Sequence, residues 1–217
     1  MSMIPPMIHH HPPDDWLLDH VTGALTGPWS VLLASHLTVC PACRAQARRY
    51  ERLGGALLAR LTPEPVTAGT PADDNPRPTG PEIGPTGPGD PVFPKPLRAA
   101  VGHASGAVPW RTVLPGVESY DLTGGGGQAV ARLLRIAPGR SVPQHTHKGQ
   151  EATAVLSGFY ADGTGRYGPG DVAVADPGVN HKPVADPDGV CICFTVSEAP
   201  MHLTGPLGRF LNFLPLI

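Results

Sequence analysis

The stretch Gly139–Gly158 constrains the fold of this chain more than any other, and it reads GRSVPQHTHKGQEATAVLSG. In an extended strand, alternate side chains point to the same face, so His145 and His147 aim their rings together. Glu151 follows four residues later and can return on a neighbouring strand to the same point. Two imidazoles and a carboxylate at one point suit a first-row metal such as Zn, Fe, Mn or Ni. A surface strand with two solvated histidines is the plainer alternative.

The glycines that frame these residues favour the metal site. The pattern G-x5-H-x-H-x3-E-x6-G resembles the first motif of the cupin family at every position. The second cupin motif is matched by Gly170-Asp171, which leads to Pro177-Gly178-Val179-Asn180-His181. Its Pro-Gly spacing is tightened by one residue, and Ala185 stands where the family has asparagine. The resemblance implies a barrel that holds a divalent metal, with Zn²⁺ expected, through four ligands: His145, His147, Glu151 and His181.

The overall composition limits the possible classes of function. The chain has 217 residues and a net charge of −2, which gives no electrostatic basis for binding nucleic acid. No apolar run is long enough to cross a bilayer, and residues 1–6 lack the basic region and apolar core of a signal peptide. We therefore expect a cytoplasmic protein. The four cysteines form two close pairs, Cys40/Cys43 and Cys191/Cys193, which in a reducing compartment indicate metal or redox chemistry more than disulfides.

Proline and glycine are concentrated in Thr62–Pro96, which is nearly free of large apolar side chains. Such a segment cannot bury enough surface to offset its ordering entropy, so it is predicted to be a flexible linker. The chain is thereby divided into a helical unit (1–61), a Pro/Gly-rich linker with a possible short helix (62–104), a β unit (105–198) and an apolar C-terminal tail (199–217).

Three helices are predicted in the first unit. Asp14 or Asp15 can cap the first helix, and Pro28 and Pro41 suit the first turns of the other two. The predicted helices run from residue 14 to about 25, from 29 to about 36 and from 41 to 61. The third helix has an apolar side and a basic side. The apolar side consists of Ala45, Leu53, Ala56, Leu57 and Leu61, and the basic side consists of Arg44, Arg48, Arg49 and Arg52.

The junction of the second and third helices carries the spacing His36-x3-Cys40-x2-Cys43. A C-x2-C pair that opens a helix places two thiolates within reach of one tetrahedral zinc, and His36 lies one helical turn earlier. Ordinary buried cysteines are the alternative, because free cysteine is among the most buried residue types. A fourth ligand could come from the run His9-His10-His11, which could equally be a tag remnant or a solvated tail.

This motif, with a histidine ahead of the first helix, resembles the zinc-binding anti-sigma fold. Its combination with a C-terminal cupin is similar to the ChrR-type anti-sigma factors, which restrain an extracytoplasmic-function sigma factor. The resemblance implies Zn²⁺ held by His11, His36, Cys40 and Cys43, a sigma factor as partner, and a cupin that senses singlet oxygen or organic-peroxide stress. It covers both units and leaves the linker unmatched. The family's fourth helix, which helps to hold the sigma factor, is reduced here to the candidate helix Pro96–Val101.

The C-terminal unit shows short β-type runs separated by Pro-Gly or poly-Gly turns, and together they fit a jelly-roll barrel. Cys191 and Cys193 lie on the last strong strand, where alternation puts both thiols on one face. They are either two small core residues or redox-sensitive thiols beside a metal, and the resemblance favours a sensory contribution. The predicted strands lie at residues 108–114, 116–122, 129–136, 151–156, 171–175 and 190–196.

The predicted fold class is an α+β two-domain protein, with a small all-α zinc-binding helical domain followed by an all-β cupin (jelly-roll barrel) domain. The leading functional prediction is a regulator without enzymatic activity, an anti-sigma factor that sequesters an extracytoplasmic-function sigma factor and releases it on oxidative stress. No membrane and no direct contact with nucleic acid are expected. The alternative is a metal-dependent cupin oxygenase or isomerase with an appended zinc domain, for which Arg132, Arg135 and Arg166 are candidate substrate anchors.

Overall fold

A helical unit is followed by a β-barrel in the computed structural model, which describes residues 7–63, 89–122 and 129–205. Most of the predicted linker and the tail beyond residue 205 lie outside this part of the chain. The described helices are α1 (Asp14–Thr22), α2 (Gly27–Val39), α3 (Pro41–Leu58) and α4 (Lys95–Val101), and a 3-10 helix spans Ser105–Ala107.

The helix ends differ from the predicted ones. Gly23 ends α1 with a φ of 77°, a left-handed conformation that glycine adopts without steric cost. The prediction that Asp14 or Asp15 caps this helix was wrong, because Pro13 is the N-cap residue. Both carboxylates lie in the first turn, where the helix dipole favours negative charge. Helix α3 ends at Leu58, before the predicted position 61. Helix α2 extends beyond its predicted range at both ends.

A single residue joins α2 to α3. Cys40 is both the C-cap of α2 and the N-cap of α3, and its sulfur accepts a hydrogen bond from the backbone N–H of Cys43 at 3.4 Å. Pro41 takes the first helical position, where a missing N–H leaves no hydrogen bond unmade. Arg44 donates to the last carbonyls of α2 at 2.7 and 2.9 Å. This short junction places both cysteines beside the last turn of α2.

The helices pack around a core that continues into the barrel. Leu32 and Leu33 of α2 and Leu97 of α4 are fully buried in it. The segment predicted as a short helix is therefore α4, and it packs against α2. The second half of α3 leaves the core, because Leu53 and Leu57 are each 58% exposed. The apolar side of α3 therefore faces solvent instead of the core.

The β unit contains every predicted strand and several shorter ones. The main sheet has six antiparallel strands in the order β1-β2-β3-β10-β5-β8, and β7-β6-β9 and β11-β4 form two smaller sheets. The strands are β1 (Arg111–Leu114), β2 (Val117–Asp121), β3 (Val130–Ile136), β4 (His145–Thr146), β5 (Glu151–Ser157), β6 (Tyr160–Ala161), β7 (Arg166–Tyr167), β8 (Val172–Ala175), β9 (Val184–Ala185), β10 (Cys191–Ser197) and β11 (His202–Leu203).

The main sheet is covered on both faces. Leu134 and Ile136 of β3 line the barrel interior. Leu133 of the same strand, with Phe194 and Val196 of β10, belongs to the core that contains the helices. Strands buried on both faces carry apolar residues in both directions, which explains why β3 shows little alternation in its sequence. The sheet therefore separates the barrel interior from the helical unit.

Candidate metal centres

Three imidazole rings and one carboxylate meet inside the barrel. The Nε2 atom of His181 lies 3.0 Å from Nε2 of His145 and 3.3 Å from Nε2 of His147. An oxygen of Glu151 lies 3.5 Å from Nδ1 of His147. All four side chains are buried, and one ligand atom from each lies within 4.8 Å of the others. The structure thus brings together the four residues that the cupin motifs implied.

Backbone pairing and outer hydrogen bonds fix the positions of these rings. His145 and His181 exchange two backbone hydrogen bonds, each of 3.0 Å, and Glu151 is the first residue of β5. On the outer side of the rings, Nδ1 of His145 lies 2.7 Å from the carbonyl of Pro143, and Nδ1 of His181 lies 2.8 Å from a carboxylate oxygen of Asp162. Such partners assign the proton to Nδ1 and leave Nε2 bare, the arrangement found around metal-bound histidines.

The donor chemistry of this site fits a cation. Burial lowers the pKa of His145 and His147 to about 4, so both rings are neutral at pH 7. The Nε2 atoms of His145 and His181 face each other at 3.0 Å, and two lone pairs so close would repel each other unless a proton or a metal cation lay between them. Three imidazoles and a carboxylate would therefore hold a divalent first-row metal and supply it with a compact nitrogen and oxygen donor set.

The two carboxylates near this site have opposite protonation behaviour. Burial raises the pKa of Glu151 to about 7, so this group carries a proton in slightly acidic solution when no cation is bound. Burial alone would also raise the pKa of Asp162, but hydrogen bonds from His181 and Thr164 outweigh it and lower the pKa to about 2. Asp162 is therefore ionised throughout the physiological range and holds His181, while Glu151, where protonated, would exchange its proton for a bound metal.

A cavity lies beside this site in the barrel. His145 and Glu151 form part of its wall, and of the three candidate anchors Arg132 lines it while Arg135 and Arg166 do not. All three are paired with acidic residues: Arg132 with an aspartate at 2.6 Å, Arg135 with a glutamate at 2.6 Å and Arg166 with an aspartate at 3.2 Å. The structure therefore gives one arginine access to the cavity.

Cys191 and Cys193 lie side by side on β10, with their sulfurs 3.5 Å apart. Both are at most 2% exposed, and Cys193 lines the same cavity as Glu151. The hydrogen bond with Cys191 and burial raise the pKa of Cys193, so this residue is a thiol rather than a thiolate at neutral pH. Oxidation of the pair would therefore require an oxidant that enters the cavity.

Two sulfurs and two imidazoles meet at the junction of α2 and α3. The sulfur of Cys43 lies 3.2 Å from Nε2 of His36 and 3.4 Å from Nδ1 of His11, and the sulfur of Cys40 lies 3.5 Å from Nδ1 of His11. Tetrahedral ligands at zinc distances of about 2.0 Å (N) and 2.3 Å (S) are separated by about 3.5 Å. His36 and the cysteines are buried and His11 is exposed. This geometry fits a structural zinc site.

The third histidine of the N-terminal run is the one that reaches this site. The backbone N–H groups of His9 and His10 instead donate to the carboxylate of Asp171 at 2.7 and 2.9 Å. The ring of His10 packs against Tyr167, with centroids 4.4 Å apart. The run is therefore held against the barrel and is not a solvated tail.

Protonation at the helical site also suits metal binding. Burial lowers the pKa of His36 to about 4 and raises the pKa of Cys43 to about 12. His36 is thus a neutral donor, whereas Cys43 keeps its proton until a metal displaces it. Nδ1 of His36 lies 2.9 Å from the carbonyl of Gly170, which turns Nε2 toward the sulfurs.

Two aspartates beside these centres were not identified from the sequence. Asp162 lies in the Gly- and Asp-rich loop Phe159–Pro169, whose composition predicts only a turn, and Asp171 was noted only as part of the second cupin motif. In a sequence, an aspartate that forms a turn looks the same as one that reaches a metal-binding histidine, because the difference arises only when distant segments pack together.

These features define a class of two-domain protein. Its helical domain has a candidate metal centre of two histidines and two cysteines, and its cupin domain has one of three histidines and a glutamate. The family profile described as the ChrR cupin-like domain matches residues 99–200. The anti-sigma-E factor ChrR of Cereibacter sphaeroides is 37% identical over 215 residues, which cover 96% of this chain and 95% of that protein. The chain belongs to the ChrR family of anti-sigma factors.

A solved structure supports the same family and confirms the fold class. The crystal structure of Rhodobacter sphaeroides SigE in complex with the anti-sigma ChrR matches with a TM-score of 0.73 and 34% identity, covering 88% of this chain and 99% of that chain. Family membership places this chain among regulatory proteins rather than enzymes. None of the described helices is both long and apolar enough to cross a membrane.

Proposed function

We propose that this chain is a cytoplasmic anti-sigma factor that binds an extracytoplasmic-function sigma factor and releases it under oxidative stress of the singlet-oxygen or peroxide type. The observation that carries the proposal is the 37% identity to an anti-sigma factor over 96% of this chain. A related chain forms a complex with SigE. A sigma factor bound by this protein cannot engage RNA polymerase, so transcription of its target genes stays low.

The second half of α3 supports a protein partner at the helical unit. Leu53 and Leu57 lie four residues apart on α3 and are each 58% exposed, and Leu61, three residues beyond the end of the helix, is 67% exposed. An apolar row of this kind is typical of an interaction surface rather than of a solvated helix. The exposed Arg48 and Arg52 beside it would complement an acidic surface on the sigma factor.

A charge introduced into this row tests the surface. Leu57→Asp should reduce binding of an extracytoplasmic-function sigma factor of the same organism by at least about 10-fold, because it would bury a carboxylate in the complex. Val190→Asp, at a 43% exposed apolar residue of the barrel, is the matched control and should bind normally. Equal binding of both variants, measured by co-purification and by titration, would remove this row from the interface.

Zn²⁺ is the metal we propose for the helical site, held by His11, His36, Cys40 and Cys43. So small a helical unit would depend on the metal for its fold. Cys43→Ser should therefore lower the zinc content by one ion per chain and abolish sigma binding. Co-purification of this variant with the sigma factor at wild-type yield would contradict the proposal.

The cupin site is proposed as the sensor, with His145, His147, Glu151 and His181 holding a divalent metal, most simply Zn²⁺. The main sheet separates this site from the helices, so a change at the cupin metal need not disturb the surface proposed to bind the sigma factor. His147→Ala should leave sigma binding intact and blunt the response to singlet oxygen or an organic peroxide. A normal response, read from a reporter of the released sigma factor, would remove the cupin metal from the mechanism.

The two buried thiols are proposed as a secondary part of the sensor. Cys191 and Cys193 lie 3.5 Å apart, and Cys193 borders the cavity beside the metal ligands. A peroxide that enters the cavity could oxidise one of them. Cys193→Ala should then weaken the peroxide response while leaving the metal content unchanged. An unaltered response would make the pair ordinary core residues.

A further inference from the structure

The turn that follows β7 approaches the helical metal centre from the barrel side. This turn, Tyr167–Asp171, contains the carbonyl of Gly170, which lies 2.9 Å from Nδ1 of His36. Histidines that bind a metal through one nitrogen are commonly oriented by a hydrogen bond at the other, and loss of that bond weakens the metal. For His36 this outer partner comes from the barrel and not from the helices.

Asp171 connects the same turn to the N-terminal segment. One oxygen of its carboxylate accepts from the N–H groups of His9 and His10, and the other accepts from the N–H of Gly168 at 2.9 Å. The N–H of Val172 also donates to the carbonyl of His10 at 3.0 Å. The next residue in the chain is the metal-site histidine at position 11. A carboxylate that is only 4% exposed thus fixes the backbone immediately before a ligand.

Close packing holds the two segments together. Ile8 lies so close to Gly170 that a Cβ atom at this glycine would stand 2.8 Å from its side chain. On the other side of the turn, the ring of His10 covers Tyr167. The hydroxyl of Tyr167 lies 2.9 Å from the hydroxyl of Thr164, which donates in turn to the carboxylate of Asp162 at 2.6 Å. The turn is therefore anchored within the barrel and does not belong to the helical unit.

We infer that the turn Tyr167–Asp171 is the outer shell of the helical metal site, so that the cupin domain controls how firmly that metal is held. A barrel carbonyl orients His36 directly, and barrel atoms hold the backbone of His10 immediately before His11. Cys40 and Cys43 are instead positioned by the helix junction. Separation of the turn from the N-terminal segment would release both histidines at once. The regulatory meaning of this control rests on the proposed function.

Cobalt(II) is a suitable probe for this site in the full chain. Thiolate-to-cobalt charge-transfer absorption arises at the site with cysteine ligands and not at the site of His and Glu ligands. After addition of excess EDTA, the decay of this absorption gives the rate of metal loss. Asp171→Ala should increase that rate by about 10-fold, since outer partners are worth about 10- to 100-fold in metal affinity. Asp188→Ala, at an exposed acidic residue of the same barrel, is the control and should leave the rate unchanged.

Asp171→Asn is the companion variant, because it preserves the side-chain volume and replaces one accepting oxygen with an NH₂ group. It should also increase the rate of cobalt loss, and it decides the outcome if the alanine variant does not fold. Rates within about twofold of wild type for the folded variants would overturn the inference. The assay contains no sigma factor. If Asp171→Ala loses cobalt faster while the wild-type chain binds no sigma factor, this inference stands and the proposed function is refuted.

Discussion

The raised pKa of Glu151 predicts how the metal affinity of the cupin site changes with pH. Its pKa of about 7 in the metal-free protein means that protons compete with the metal below neutral pH. His145 and His147, with pKa values of about 4, stay neutral above pH 6 and add little to this competition. The sign follows directly, because a raised carboxyl pKa weakens metal binding as the pH falls through 7.

The magnitude follows from the fraction of ionised carboxylate. With a pKa of about 7, that fraction is about 0.9 at pH 8 and about 0.1 at pH 6, so Glu151 should lower the apparent metal affinity about 10-fold between these values. The change corresponds to about 1.4 kcal/mol of binding free energy. Metal binding should release about 0.9 proton from this group at pH 6 and about 0.1 at pH 8.

Isothermal titration calorimetry of the full chain, with its helical site filled beforehand, would measure both quantities. Zinc is titrated at pH 6 and pH 8 in two buffers of different ionisation enthalpy, which separates proton release from the heat of binding. The matched variant is Glu151→Gln, which binds more weakly but has no carboxyl to titrate. The reasoning is refuted if this variant and the wild type show the same change in affinity between the two pH values.

Three further substitutions test how the fold supports these sites. Arg44→Gln removes donors to the last carbonyls of α2 and should lower the free energy of unfolding by about 1–2 kcal/mol, whereas exposed Arg48→Gln should not; equal urea midpoints would contradict this. Asp162→Asn should weaken the cupin metal about 10- to 100-fold in a chelator competition, and an unchanged affinity would refute its role at His181. Gly158→Ala, at a φ of 69° and with its Cβ 2.3 Å from a backbone carbonyl, should destabilise the barrel more than Gly163→Ala, which meets open space; equal losses would contradict the argument.

The features that could be predicted from the sequence are those set by local spacing. Alternation along a strand is enough to place His145 and His147 on one face, and a C-x2-C pair at a helix start is enough to bring Cys40 and Cys43 together. His181 required a known family pattern, because its position depends on an antiparallel pairing with a strand 36 residues earlier. The ligand sets were therefore within reach of the sequence.

The features that could not be predicted depend on contacts between distant segments. The sequence of β3 alone does not show that both of its faces are buried, because Leu133 meets the helices while Leu134 faces the barrel. The end of α1 at Gly23 depends on a left-handed glycine rather than on hydrophobic periodicity. The role of Asp171 appears only when residues about 160 positions apart are brought into contact.

The packing of the main sheet against the helices limits which domains can be exchanged between members of this family. On the helix-facing side of this sheet, Leu133, Phe194 and Val196 belong to the same hydrophobic core as Leu33 and Leu97 of the helices. If the cupin domain were replaced by that of a relative, different side chains on the outer face of the sheet would have to pack against the helices of this chain. The cupin domain and the helical domain are therefore not independent modules. Chimeras between relatives should remain well folded only when the residues on both sides of this contact are transferred together.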